Sequence, residues 1–157
     1  MKLRFGYEMG LRLVKTVLAA LLLASAVVGA YISATDAYLW TEAPSHAYGL
    51  IAFVIVDVIA VGVLYARPRW GRMLALAMPA VEFVAMVGDL YMGLGSPGSE
   101  VQASFREYLL NDSAFMVLLV IQAVLVGLAL GYLVQPPVGL PERQEGVSDP
   151  RRRALGT

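Results

Sequence analysis

Four long apolar stretches, residues 16–33, 47–66, 73–94 and 114–134, constrain this chain more than any motif in it. Each approaches the ~20 residues that an α-helix needs to cross ~30 Å of hydrocarbon. None alternates as a half-buried strand would. A helix also satisfies its own backbone hydrogen bonds, as lipid demands. Composition agrees: hydrophobic residues make up 59% and the mean hydropathy is +0.68, whereas charged residues are only 15%. Ordinary soluble domains lie nearer half apolar. The pattern predicts an all-α integral membrane protein in which residues 1–135 form one four-helix transmembrane domain. Residues 136–157, rich in proline, glycine and charge, read as a disordered cytoplasmic tail.

Charge orients the spans. Lys2, Arg4, Arg12 and Lys15 precede the first, and Arg67, Arg69 and Arg72 separate the second from the third. Arg143 and Arg151–Arg153 lie in the tail. The first-to-second connection instead holds Asp36 and Glu42, and the third-to-fourth holds Glu100, Arg106, Glu107 and Asp112. The excess of basic residues on one side places both termini in the cytoplasm, in a multi-pass protein of the plasma membrane. Tyr31, Tyr38, Trp40, Tyr48 and Tyr91 then fall near the outer boundary, and Tyr65, Trp70 and Tyr132 near the inner one. The basic start and the small residues at 24–26 also resemble a signal peptide, but the apolar run continues past them, so the first span is read as an uncleaved helix.

The third-to-fourth connection carries structure of its own. Ser99 and Gln102 have the spacing of a capping box. Val101, Phe105, Tyr108 and Leu109 follow at helical spacing, which predicts a short amphipathic helix at the outer surface. Asn111, Asp112 and Ser113 offer N-caps for the fourth span. Short connections suggest an up-and-down bundle. Gly127 and Gly131, Ala20 and Ala24, and Ser25 and Gly29 mark faces where helices can approach closely, within the chain or between copies. Pro79 falls inside the third span and predicts a local break in its hydrogen-bond ladder.

Several chemistries are excluded. The chain has no cysteine, hence no disulfide, thiolate metal site or thiol nucleophile, and its single histidine, His46, rules out a bis-histidine site within one chain. It lacks a P-loop, a dinucleotide fingerprint and a Ser/His/Asp set. The net charge is zero, and the lone basic run, Arg151–Arg153, sits in a polar tail, so nucleic acid is not an expected partner. An enzymatic role is not indicated.

What remains is a set of polar residues inside the spans. Asp57 lies ten residues after position 47, and Glu82 nine after position 73, so both fall roughly 13–15 Å from opposite ends of their spans, near mid-membrane. Asp89 follows Glu82 by seven residues and shares its helix face. His46 precedes Asp57 by eleven and lies on nearly the same face. Gln122 of the fourth span reaches similar depth. A charged aspartate at mid-bilayer costs about 2.5–3.5 kcal/mol on insertion scales. The physical resolutions are a carried or shared proton, a bound cation, or a cation from a partner subunit. The plainer reading is that protonated acids simply tie helices together by hydrogen bonds. His46, just after Pro44 and Ser45, also fits a structural role at a helix start.

These residues lead to three expectations. First, Asp57, Glu82 and Asp89, with Gln122 and His46, form an acidic site that binds or relays a proton, a cation or a cationic ligand, in an oligomer. The alternative is an accessory subunit of a larger respiratory or transport complex, its acids paired with partner cations. The third is a haem- or quinone-linked redox protein, with His46 as the one available haem ligand.

Overall fold

Two prolines and an aspartate punctuate this chain. The computed structural model describes residues 2–96 and 98–134. Their regular structure is entirely helical, with no strand among the described residues: α1 (Lys2–Thr35), α2 (Ala37–Glu42), α3 (Pro44–Ala66), α4 (Pro68–Met92), α5 (Glu100–Asn111) and α6 (Ser113–Val134). Pro44 and Pro68 open α3 and α4, where a missing N–H is harmless and the fixed φ suits a helix. Four helices contain segments long and apolar enough to cross a membrane: Arg12–Thr35, Pro44–Ala66, Arg69–Met92 and Ser113–Gly131.

The helices outrun the apolar stretches that mark them. Helix α1 starts at Lys2 rather than near position 16, because nothing in the basic segment breaks the ladder. The short α2 is an addition to the sequence reading. Asp36 caps it, accepting from the Leu39 N–H at 3.2 Å, and Trp40 Nε1 donates back to the Ser33 carbonyl at 2.8 Å.

Neighbouring long helices run antiparallel. Gly29 of α1 lies against Leu50 and Val54 of α3, while Lys15 sits 4.1 Å over the ring of Tyr65. Between α3 and α4 there is only Arg67. Gly71 makes that crossing possible, since a Cβ there would lie 2.1 Å from the Leu64 Cα. Each of α1 and α4 packs on both α3 and α6, closing a ring of four. Inside the ring are two apolar cores. One holds Leu18, Leu22, Leu64, Ala75 and Leu125; the other holds Ile32, Leu39, Met86, Phe105 and Phe115 and is roofed by α2 and α5. The outward faces are apolar too, with Val27, Ile55, Ile59, Val84, Val120 and Val124 exposed, as for helices surrounded by hydrocarbon.

Some sequence expectations change. Gly127 and Gly131 have no neighbour within 4 Å where a Cβ would point, so this glycine pair makes no close contact with the other described residues. Gly29 and buried Ser25 do face other helices. Tyr31, Tyr48, Tyr65, Trp70 and Tyr91 are exposed, whereas Tyr38 packs against Tyr108 with ring centroids 4.2 Å apart. Pro79 is buried inside α4 and cannot bond the Ala75 carbonyl one turn before it. The tail after position 135 and the side chain of Tyr132 lie outside the described residues.

Candidate functional site

Between the two apolar cores lies a polar layer built from one residue of each long helix. Ser25 comes from α1, Asp57 from α3, Glu82 from α4 and Gln122 from α6. All four are buried, Asp57 at 1% exposure, Glu82 at 2% and Gln122 at 0%. Gln122 is the hub: its Nε2 donates to Ser25 Oγ at 2.8 Å and to Glu82 Oε2 at 2.5 Å. The amide therefore uses both hydrogens, and the Ser25 hydroxyl, having accepted, still has a proton to give. Asp57 faces Ser25 and Glu82.

Satisfaction stops there. Both oxygens of Asp57, Oε1 of Glu82 and Oε1 of Gln122 are buried with no hydrogen-bond partner. Buried polar atoms in proteins are nearly always paired, and an unpaired one costs about 1–3 kcal/mol, so four in one layer demand a reason. The groups facing each acid are Ser25, Gln122 and the other acid, and none of them is a cation. A small cavity of about 20 Å³ adjoins Glu82 and Ser25. That is room for the centre of one water molecule, which needs about 10–15 Å³.

A second polar group closes one end of the bundle. His46 Nε2 lies 3.2 Å from Asp89 Oδ1, and its Nδ1 is 3.3 Å from Ser45 Oγ. Both ring nitrogens are thus engaged, and a haem-ligand role would require His46 to release one. Asp89 also serves through its backbone, accepting from Gln102 Nε2 at 3.2 Å, while Gln102 Oε1 accepts from the Leu94 N–H at 2.9 Å. Only half of the expected capping box forms. Ser99 Oγ accepts from the Gln102 N–H at 3.2 Å, but the Gln102 side chain reaches across to α4 instead of back to Ser99. Phe105 docks beside it, and Gly93 makes room, since a Cβ there would come within 2.6 Å of the Phe105 ring. Asp112 caps α6 by accepting from the Ala114 N–H at 2.8 Å.

The sequence had suggested one strip from His46 through Asp89 to Asp57, Glu82 and Gln122. The structure brings these five together as two groups, the His46–Asp89 pair at one end and the Asp57–Glu82–Gln122 layer in the middle. Ser25, read from sequence only as a small packing residue, joins the layer. The Tyr108–Asp36 hydrogen bond, which ties α5 to the α2 cap, had no signal in the sequence. Burial and then the Asp36 carboxylate push the Tyr108 hydroxyl well above the usual tyrosine range.

Above the layer, a cavity of about 280 Å³ opens beside His46 and Asp89. Leu50, Phe53, Met86 and Leu118 line both it and the small cavity at Glu82, so they form the partition between the two. Among the described residues, no three His, Asp or Glu converge as a metal-ligand set. No family model, curated protein or solved structure matches the chain.

Proposed function

We propose that this chain is a small integral membrane protein whose buried carboxylates, Asp57 and Glu82, bind or relay a proton or a cation. One observation carries the reading: two carboxylic acids face each other at the centre of the bundle, three of their four oxygens unpartnered and no cationic side chain beside them among the described residues. A proton held between them, or a cation, supplies the missing partner. Two bare carboxylates in so dry a place would repel each other strongly.

The layer suits a changing charge. Gln122 donates to Glu82 in the arrangement seen. Turned over, the same amide would accept from a protonated Glu82 through Oε1, so it can serve both states. Ser25 bonds Gln122 and stands beside Asp57, and the cavity beside Glu82 has room for one water in a relay. His46 and Asp89 would form the outer station.

In this reading the four long helices cross the bilayer with both termini in the cytoplasm and α5 at the outer surface, as the basic connections indicate. A four-helix bundle is small for a complete transporter, so assembly with copies of itself or with larger subunits is part of the proposal. The open α6 face at Gly127 and Gly131 supports such a contact and keeps the accessory-subunit reading alive.

The test is infrared difference spectroscopy of the full chain in nanodiscs as pH is stepped. A carboxylic-acid carbonyl band should appear and vanish in the wild type and be lost in Glu82→Gln while the helical spectrum persists. A band insensitive to both Glu82→Gln and Asp57→Asn would sink the reading. Copurification with larger foreign subunits, lost on the same substitutions, would favour the accessory role.

A further inference from the structure

The outer cavity differs in character from the layer beneath it. Its walls are mainly hydrocarbon, and its charged or titratable lining is Asp36, His46, Asp89 and Asp112. Three acids thus stand against one histidine, with no Lys or Arg in the lining. Phe53, Phe105 and Phe115 contribute three rings. Asp89 and His46 remain partly exposed, at 33% and 20%, which places the mouth beside them. At about 280 Å³ the cavity approaches the lower end of the range that holds small organic ligands, roughly 300–1,000 Å³.

Its floor leads to an unsatisfied charge site. Glu82, Met86 and Asp89 follow one another at helical spacing along a single face of α4, with the two acids roughly 10 Å apart by helical rise. Met86 lines both cavities, and an unbranched thioether can move aside more easily than a branched side chain. Behind it, the buried Glu82 lines the small cavity and has an oxygen with no partner.

We infer that this cavity binds a monovalent amphiphilic organic cation, an alkyl- or arylammonium ion. Its hydrocarbon body lies among Phe53, Phe105 and Phe115, and its positive end sits over Met86, between Asp89 at the mouth and Glu82 below. Charge selects the sign, since acids dominate the lining. The walls select the type. An inorganic cation needs a shell of oxygens to replace its water, whereas the walls of this cavity are mainly hydrocarbon and no three His, Asp or Glu converge among the described residues. An ammonium with bulky substituents needs only apolar contact, ring faces and one or two carboxylates. This inference rests on the proposal that the Asp57–Glu82 layer handles protons or cations, and it names the ligand class.

Phenyltrimethylammonium is a suitable probe because tert-butylbenzene is a neutral molecule of the same shape. Binding of each to the full chain in nanodiscs would be measured by saturation-transfer NMR and calorimetry, against empty nanodiscs. The cation should bind roughly tenfold or more tightly than the neutral isostere after subtraction of lipid uptake. Glu82→Gln should weaken it by a similar factor, and Ala85→Phe, which fills the cavity from its wall, should abolish it. If Glu82→Gln fails to fold, Ala85→Phe and Asp89→Asn carry the test. Equal binding of the two probes, no binding by the wild type, or unchanged binding in Ala85→Phe would overturn the inference. A wild type that ignores the cation yet keeps the Glu82-dependent infrared band would refute the ligand class while leaving the proton-handling reading intact. Loss of both signals would refute both.

Discussion

The two acidic regions of this bundle solve the same problem differently. At the bundle end, Asp89 faces His46 at 3.2 Å, is one-third exposed, and sits on backbone that Gln102 ties to α5. At mid-bundle, Asp57 and Glu82 are almost completely buried and the Gln122 amide bonds only Glu82 of the two, leaving four polar atoms of the layer unpaired. The first arrangement suits an acid that holds elements together. The second is poor design for stability, because buried unpaired carboxyls weaken a fold unless something else occupies the site. The contrast separates an acid with a partner at the bundle end from two acids that lack one at its centre.

Substitutions can break this contrast. The largest effect is expected from Gln122→Ala, which deletes the hub and opens a void between the two cores. Unfolding in mixed micelles should show a loss of about 2–4 kcal/mol. A loss under 1 kcal/mol would mean that the layer holds little together. Asp57→Leu should act in the opposite direction. Replacing an unpartnered buried acid by a hydrocarbon of similar size is expected to stabilise the bundle by about 1–2 kcal/mol while abolishing proton uptake. Clear destabilisation would show Asp57 to be a structural tie, and the difference between the two regions would collapse.

At the bundle end the effects are smaller. His46→Ala should cost no more than about 1 kcal/mol, because the pair is partly exposed and solvent screens it. A larger loss would place His46 and Asp89 with the middle layer. The smallest effect belongs to Tyr108→Phe, expected at about 0.5–1 kcal/mol near neutral pH. It has a pH signature. The folded state favours the neutral phenol of Tyr108, so the stabilisation it gives is complete below about pH 10, the ordinary tyrosine value, and declines as pH rises above it. Wild-type stability should therefore show an alkaline fall that the phenylalanine variant shows less of.

Some of this was legible early. Asp57 and Glu82 stand out because a charged residue in a long apolar run has no cheap setting, and helical rise puts both at one depth. The starts at Pro44 and Pro68 were not read, because hydropathy places a span at 47 and 73 without registering where its helix begins. Ser25 was not legible as a partner: a small residue in an apolar helix reads as a packing site, and its hydroxyl matters only because Gln122, 97 positions later, meets it. The glycine pair on α6 misled in the other direction, since its spacing is shared by contacting and open faces alike. The capping-box spacing gave the cap correctly, but not the choice of Gln102 to bond α4 rather than its own helix.

Length, hydropathy and spacing therefore determined the four spanning-length helices and the position of the acids along them, because those properties depend on rise per residue and on transfer from water, both local to a segment. Tertiary structure alone decided which acids share a layer, which one meets the histidine, and where the cavity lies. Those outcomes depend on how each helix is rotated about its axis, and that rotation is set by packing against neighbours distant in sequence.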